Sequence, residues 1–149
     1  MSTEHPGSES LLPDVLTLGI LEIDAQHQHL FELLAELKAH CFELGKLPEE
    51  EAAQLLRHLA EHFATEERIA FDAGRDVAEH IVTHQRIFAG IERGIAEVQR
   101  GNKDMFALLR YIEYWFERHI VDEDRPLLCP TEAPQSEPPG TAASPALAY

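Results

Sequence analysis

Two pairs of side chains, each spaced by four residues, carry the first sign of chemistry: His62 with Glu66, and His80 with His84. On an α-helix that spacing turns both members of a pair onto one face. Imidazole and carboxylate together, with no thiolate nearby, suit iron, zinc, manganese or copper. At about 100° per residue the remaining histidines can be assigned to faces as well. His27 falls on a stripe with Ile23, Leu30, Phe31, Leu34 and Leu37, and His62 and Glu66 fall on one with Leu55, Leu56, Leu59, Phe63 and Ile69. His80 and His84 sit near the middle of a stripe made by Val77, Ile81, Phe88 and Ile91. His119 ends one made by Met105, Leu108, Leu109, Ile112, Trp115 and Phe116. His5, His29 and His40 keep polar company and read as surface, while His58 lies at the margin of its stripe and forms a second four-spaced pair with His62.

The inward histidines also agree in depth. Measured from the turn near Lys46, His27 is 19 residues back and His62 is 16 forward, a difference of roughly one turn at about 1.5 Å per residue. Around Gly74, Glu66 is 8 residues back and His80 and His84 are 6 and 10 forward; around Asn102, His84 is 18 back and His119 is 17 forward. All can therefore share one layer. A single inward histidine is more often a hydrogen-bonded core residue than a ligand. Five imidazoles and a glutamate in one layer without a partner would cost roughly several kcal/mol in desolvation and unmet hydrogen bonds. A bound cation is the economical explanation, and so many ligands exceed the four of a structural zinc, which implies two metals.

The elements that must position these residues are helices. Four apolar stripes of helical period lie between Asp24 and Val121, separated by "ELGKLPEE", "FDAGRD" and "QRGNKD", and no strand-like alternation competes. Asp24 is the expected N-cap of the first helix, Pro48 suits the first turn of the second, and Gly101 follows the third. Short connections force neighbouring helices to run antiparallel, so the expected fold is all-α, an up-down-up-down four-helix bundle. Its expected divisions are an N-terminal arm (1–22), the bundle (23–125) and a Pro-rich tail (126–149). The tail carries six of the nine prolines and no apolar period, and is expected to be disordered.

With 149 residues the chain suits one domain. Its 27 acidic and 12 basic residues give a formal charge of −15, which argues against nucleic acid and anionic membranes as partners. The absence of a long apolar run and of a leader-like N-terminus makes a cytoplasmic protein the expectation. Cys41 and Cys129 are too few for a disulfide framework, and Cys41 reads as core.

The segments "LGILEIDAQHQHLF", "HFATEE", "HIVTH" and "WFERHIVDED" resemble, in order and spacing, the bacterial hemerythrins over about Leu18 to Asp124. The resemblance implies two iron ions in an oxo- or hydroxo-bridged, non-haem centre. It implies that His80, His84 and His119 bind the coordinatively saturated iron and that His27 and His62 bind the iron with an open position. Glu66 and Asp124 would bridge the two. Asp124 lies five residues after His119, roughly 140° away on an ideal helix, where Asp122 or Glu123 would be nearer its face; the HxxxxD likeness selects Asp124 and requires a distorted last turn. Three departures stand out. "RIAFDAGRDVAEH" lacks the methionine and Tyr-Pro common in the family, Phe116 replaces a usual leucine of the oxygen pocket, and the tail has no counterpart in the minimal domain.

The implied function is reversible binding of dioxygen as hydroperoxide at the open iron, for storage, delivery or sensing, behind a dry wall of Leu30, Trp115 and Phe116. Histidine-rich ligation leaves the centre electron-poor and favours the ferrous pair. The layer offers no extra acid, base or nucleophile for a substrate reaction, so the expectation is a non-enzyme. The alternatives are a di-iron enzyme of the same fold that reduces peroxide or oxidises a small substrate, and a metal-free or zinc-stabilised helical interaction module. No partner protein is assigned to the tail.

Overall fold

The computed structural model describes residues 12–129, and among these it contains helices and no strand. Four long helices form the bundle: α1 (Leu21–Leu44), α2 (Glu49–Asp72), α3 (Ala78–Gln99) and α4 (Met105–His119). Each packs on its neighbour in the chain and α1 packs on α4, closing an antiparallel ring. The buried residues of α1 show why. Ile23, His27, Leu30, Leu34, Leu37 and Cys41 follow one another at alternating intervals of four and three, which holds one stripe against the partners along the whole helix. In α4 the buried Leu109, Ile112, Phe116 and His119, spaced three, four and three apart, do the same, with Leu108 beside them.

Helix ends fix the turns. Gly45 (φ 73°) and Gly101 (φ 85°) adopt the left-handed conformation that ends α1 and follows α3, a region where a Cβ is disfavoured. Asp104 caps α4, its carboxylate accepting the Ala107 N–H at 2.8 Å. Asp24 does not cap α1 from outside as its sequence position suggests; Ile20 holds that position. Asp24 instead lies in the first turn and reaches back to accept the N–H groups of Leu18 (2.8 Å) and Gly19 (2.9 Å). Pro48 stands one residue before α2, in extended conformation.

The helical body continues past α4. After His119 the chain makes a π-helical turn, Ile120–Asp124, and a last helical turn, α5 (Arg125–Leu128). The arm is tied to this end. Leu12, Leu16 and Leu18 are buried, and the Arg125 guanidinium donates to the carbonyls of Val15 and Thr17. Cys41 is buried and Cys129 partly so; both are free thiols. Residues 1–11 and 130–149, which include His5 and most of the expected tail, lie outside the described residues.

Candidate metal centre

Every long helix sends histidine into one layer near the α1 N-terminus and the α4 C-terminus. His27, His62, His84, His119, Glu66 and Asp124 are buried, and His80 is 10% exposed. These seven residues form two groups whose ligand atoms lie within 4.8 Å of one another: Glu66, His80, His84, His119 and Asp124, and His27, His62, Glu66 and Asp124. Glu66 and Asp124 belong to both. Glu66 Oε1 is 3.2 Å from His84 Nε2 and 3.5 Å from His119 Nε2, while its Oε2 is 3.3 Å from His27 Nε2 and 2.7 Å from His62 Nε2. Asp124 Oδ1 is 2.9 Å from His119 Nε2 and 3.2 Å from His80 Nε2, and Oδ2 is 3.3 Å from His27 Nε2. One oxygen of each carboxylate faces each group, with His27 meeting both carboxylates.

The rings are oriented from outside the layer. His62 Nδ1 donates to Gln26 Oε1 at 2.8 Å, His84 Nδ1 to Glu67 Oε2 at 2.7 Å, and His119 Nδ1 to Glu123 Oε1. A neutral imidazole that donates through Nδ1 presents a bare lone pair at Nε2. His84 Nε2 and His119 Nε2 stand 3.2 Å apart, so when both rings are neutral and donate through their outer nitrogens, two lone pairs converge. Among the described residues, His62 Nε2, Glu66 Oε1 and Asp124 Oδ2 are buried without a hydrogen-bond partner; the 2.7 Å approach of His62 Nε2 to Glu66 lacks hydrogen-bond alignment. Converging lone pairs and orphaned buried atoms are the arrangement a cation satisfies, and the donor set fits iron or another borderline divalent metal.

The electrostatics of the metal-free chain agree. Burial works to raise the pKa of Glu66, but the charge of His62 and hydrogen bonds from the layer hold it well below the usual carboxylate value. Burial works to lower the pKa of His119, yet the charge of Asp124 and the hydrogen bonds of Asp124, Glu123 and Glu66 lift it well above the usual histidine value. At His62 burial prevails and the shift is downward. These shifts favour a protonated His119 beside an ionised Glu66, and a metal held at Nε2 would displace that proton.

Asp124 reaches the layer because the helix changes pitch. Ile120–Asp124 is π-helical, with hydrogen bonds from i to i+5, and this brings the fifth residue after His119 round to its face. Asp122 stays outside, 54% exposed and paired with Arg118 at 2.8 Å. Glu123 serves the outer nitrogen of His119 and does not enter the layer.

Comparison with protein-family models matches residues 18–129 to the hemerythrin HHE cation-binding domain. The chain belongs to the hemerythrin family. Neither the curated proteins nor the solved structures contain a match to it. In this hemerythrin domain Phe116 and Leu30 are fully buried. Phe116 directs its edge-to-face contacts at His27 (5.4 Å between centroids) and His62 (5.8 Å), and Leu30 follows His27 by three residues on the same buried face. Trp115, grouped with them from sequence, packs nearly parallel to Phe116 at 6.1 Å. It stacks on His119 at 4.7 Å and meets Phe63 edge-on, because adjacent residues on α4 point about 100° apart. It walls the three-histidine end. His58 joins neither group; its ring packs on His29 at 4.7 Å outside the layer, and His40 pairs with Glu51 at 2.6 Å.

Gln26 and Glu67 escaped the sequence reading, and Glu123 entered it only as a rival to Asp124, not as the partner of the outer nitrogen of His119. Glu123 was detectable as the residue four after His119, and Glu67 as the second acid of "HFATEE". Gln26 carries no local signal, since the ring it holds belongs to another helix.

Proposed function

We propose that this hemerythrin-family domain binds two iron ions and, through them, dioxygen reversibly. The observation that carries the reading is the inequality of the two ligand groups: five protein residues surround one position and four surround the other, with two carboxylates common to both. The four-residue position is one protein ligand short, and its open side is where a small molecule would bind. A ferrous pair supplies the two electrons and the vacant position that dioxygen requires.

The chain's own part is to orient, balance charge and exclude water. Glu66 and Asp124 offset part of the charge of two divalent ions, and neutral imidazoles supply the remaining protein ligands, which leaves the ferrous state favoured. Phe116 and Leu30 provide an apolar boundary beside His27 and His62, and exclusion of water slows irreversible oxidation. Within the two ligand groups no acid, base or nucleophile is spare for a substrate reaction, which favours binding over turnover. No helix among the described residues is long and apolar enough to cross a membrane.

The test is the visible spectrum of the iron-loaded protein cycled between anaerobic and aerated buffer. A charge-transfer band that forms with oxygen and vanishes on deoxygenation, without added reductant, supports the proposal. Irreversible oxidation on aeration, with peroxide consumed over many turnovers when reductant is supplied, would replace it with the enzyme reading.

A further inference from the structure

The outer nitrogens of the layer are not held alike at its two ends. At the three-histidine end two rings donate to carboxylates: His84 to Glu67 at 2.7 Å, and His119 to Glu123. At the two-histidine end His62 donates to the uncharged amide of Gln26 at 2.8 Å, and the buried Nδ1 of His27 has no hydrogen-bond partner among the described residues. Gln26 is itself fixed, its amide nitrogen donating to Thr65 Oγ1 at 3.1 Å, and that hydroxyl donates to the Glu61 carbonyl. The difference is therefore built into the packing of α1 on α2 as much as into α2, α3 and the π turn.

We infer that Glu67 and Glu123 are positioning residues that make the two metal positions electronically unequal, by strengthening the donor power of two imidazoles at the three-histidine end only. The inference rests on the di-iron reading above. A carboxylate that accepts from Nδ1–H draws the proton outward and concentrates electron density on the opposite nitrogen, which raises its basicity toward a metal. Such charge-assisted bonds are roughly twice as strong as neutral ones, so an amide in the same place does this weakly. Stronger donation stabilises the ferric over the ferrous state. The five-ligand iron is thereby the easier to oxidise, whereas the iron with the open position keeps the weaker donors that favour ferrous iron and release of its ligand.

The experiment is an anaerobic spectroelectrochemical titration of the full chain loaded with iron, in the wild type and in Glu67→Gln, Glu123→Gln and Gln26→Glu. Glutamine can still accept from Nδ1–H, so the first two variants remove charge and keep shape; both carboxylates are partly exposed, and neither variant buries a new group. With two irons retained, each loss of a carboxylate is expected to weaken the ferric preference about tenfold, the lower end of outer-shell effects, a positive shift of about 59 mV for a one-electron couple. Gln26→Glu should shift the potential the opposite way. Opposite signs separate electronic tuning from loosened structure, which would move all three variants alike. Unchanged potentials in the two Glu→Gln variants at full iron occupancy would overturn the inference. Should those variants lose iron, Gln26→Glu decides alone, and a potential that stays or rises overturns it. Metal analysis of the wild type comes first: fewer than two irons per chain would remove the di-iron reading itself, and the inference with it.

Discussion

Replacing Asp124 and Asp122 separately by alanine tests whether the π turn is what completes the centre. The two residues lie two positions apart in one π turn and differ in burial and in partners. Asp124 is fully buried, with Oδ1 2.9 Å from His119 and 3.2 Å from His80 and Oδ2 3.3 Å from His27, so both ligand groups contain it. Removing even an outer partner of a metal ligand commonly costs about 10–100-fold in affinity, equivalent to about 1.4–2.8 kcal/mol. Asp124 is itself in the ligand shell, so this range is a floor for each of the two metals. Asp122 is 54% exposed and bonds to Arg118 on the surface, and an exposed ion pair contributes next to nothing. The assay is iron per chain after anaerobic loading with ferrous iron and desalting, followed by the spectrum. Asp124→Ala should lose the paired-iron spectrum, and Asp122→Ala should keep two irons and a normal one. Two irons in Asp124→Ala, together with their loss from Asp122→Ala, would mean that the helix runs in ordinary α register past His119 and that the assignment of the carboxylate is wrong.

Other outcomes follow from the same geometry. His80→Ala combined with His84→Ala should abolish full metal occupancy, whereas His58→Ala should leave it intact, both read by metal analysis. Phe116→Leu should leave iron content unchanged and alter the oxygen on- and off-rates measured by flash photolysis or stopped flow, because the ring borders His27 and His62 without coordinating. A chelator should lower the melting temperature: a ligand held at 100 times its dissociation constant adds about 2.7 kcal/mol, which at roughly 4 °C per kcal/mol for a domain of this size is about 10 °C per site; equal melting curves with and without metal would contradict a shared buried layer. In the metal-free protein, Gly45→Ala should destabilise by about 1–2 kcal/mol at its left-handed φ, while Gly90→Ala, within α3 and with nothing within 4 Å of an added Cβ, should stabilise by about 0.5–1 kcal/mol. Denaturant titration distinguishes the signs.

Much of this site was legible because helices are periodic. A spacing of four is nearly one turn, so His62 with Glu66 and His80 with His84 must share faces wherever those segments are helical, and the apolar neighbours of each pair say that the face is inward. Distances from three short turns that agree to within about one helical turn then put His27, His62, His84 and His119 at one depth. Sequence alone thus determined four helices, their antiparallel order and a layer of imidazoles, and the ordered motifs supplied the family. Local rules gave the wrong partner for Asp24, since capping preferences do not report how far a side chain reaches back along the preceding loop. Trp115 and Phe116, grouped from the sequence, lie 6.1 Å apart, and one helical step turns them to different rings, Trp115 to His119 and Phe116 to His27 and His62.

Only the tertiary structure decided how the layer works. Which nitrogen of each ring faces inward is fixed by acceptors that, for His62 and His84, come from other helices: Gln26 of α1 for a ring on α2, Glu67 of α2 for a ring on α3. Asp124 enters the layer through a change of helical pitch that periodicity cannot encode, because a pattern read at 100° per residue presumes the α register that the π turn abandons. The sharing of Glu66 and Asp124 between a five-residue and a four-residue group is likewise a property of four helices meeting at one depth. Side-chain faces follow from local geometry within a helix, whereas ring orientation, shared ligands and the inequality of the two positions depend on contacts between residues as far apart in sequence as His27 and Asp124, which exist only once the bundle has closed.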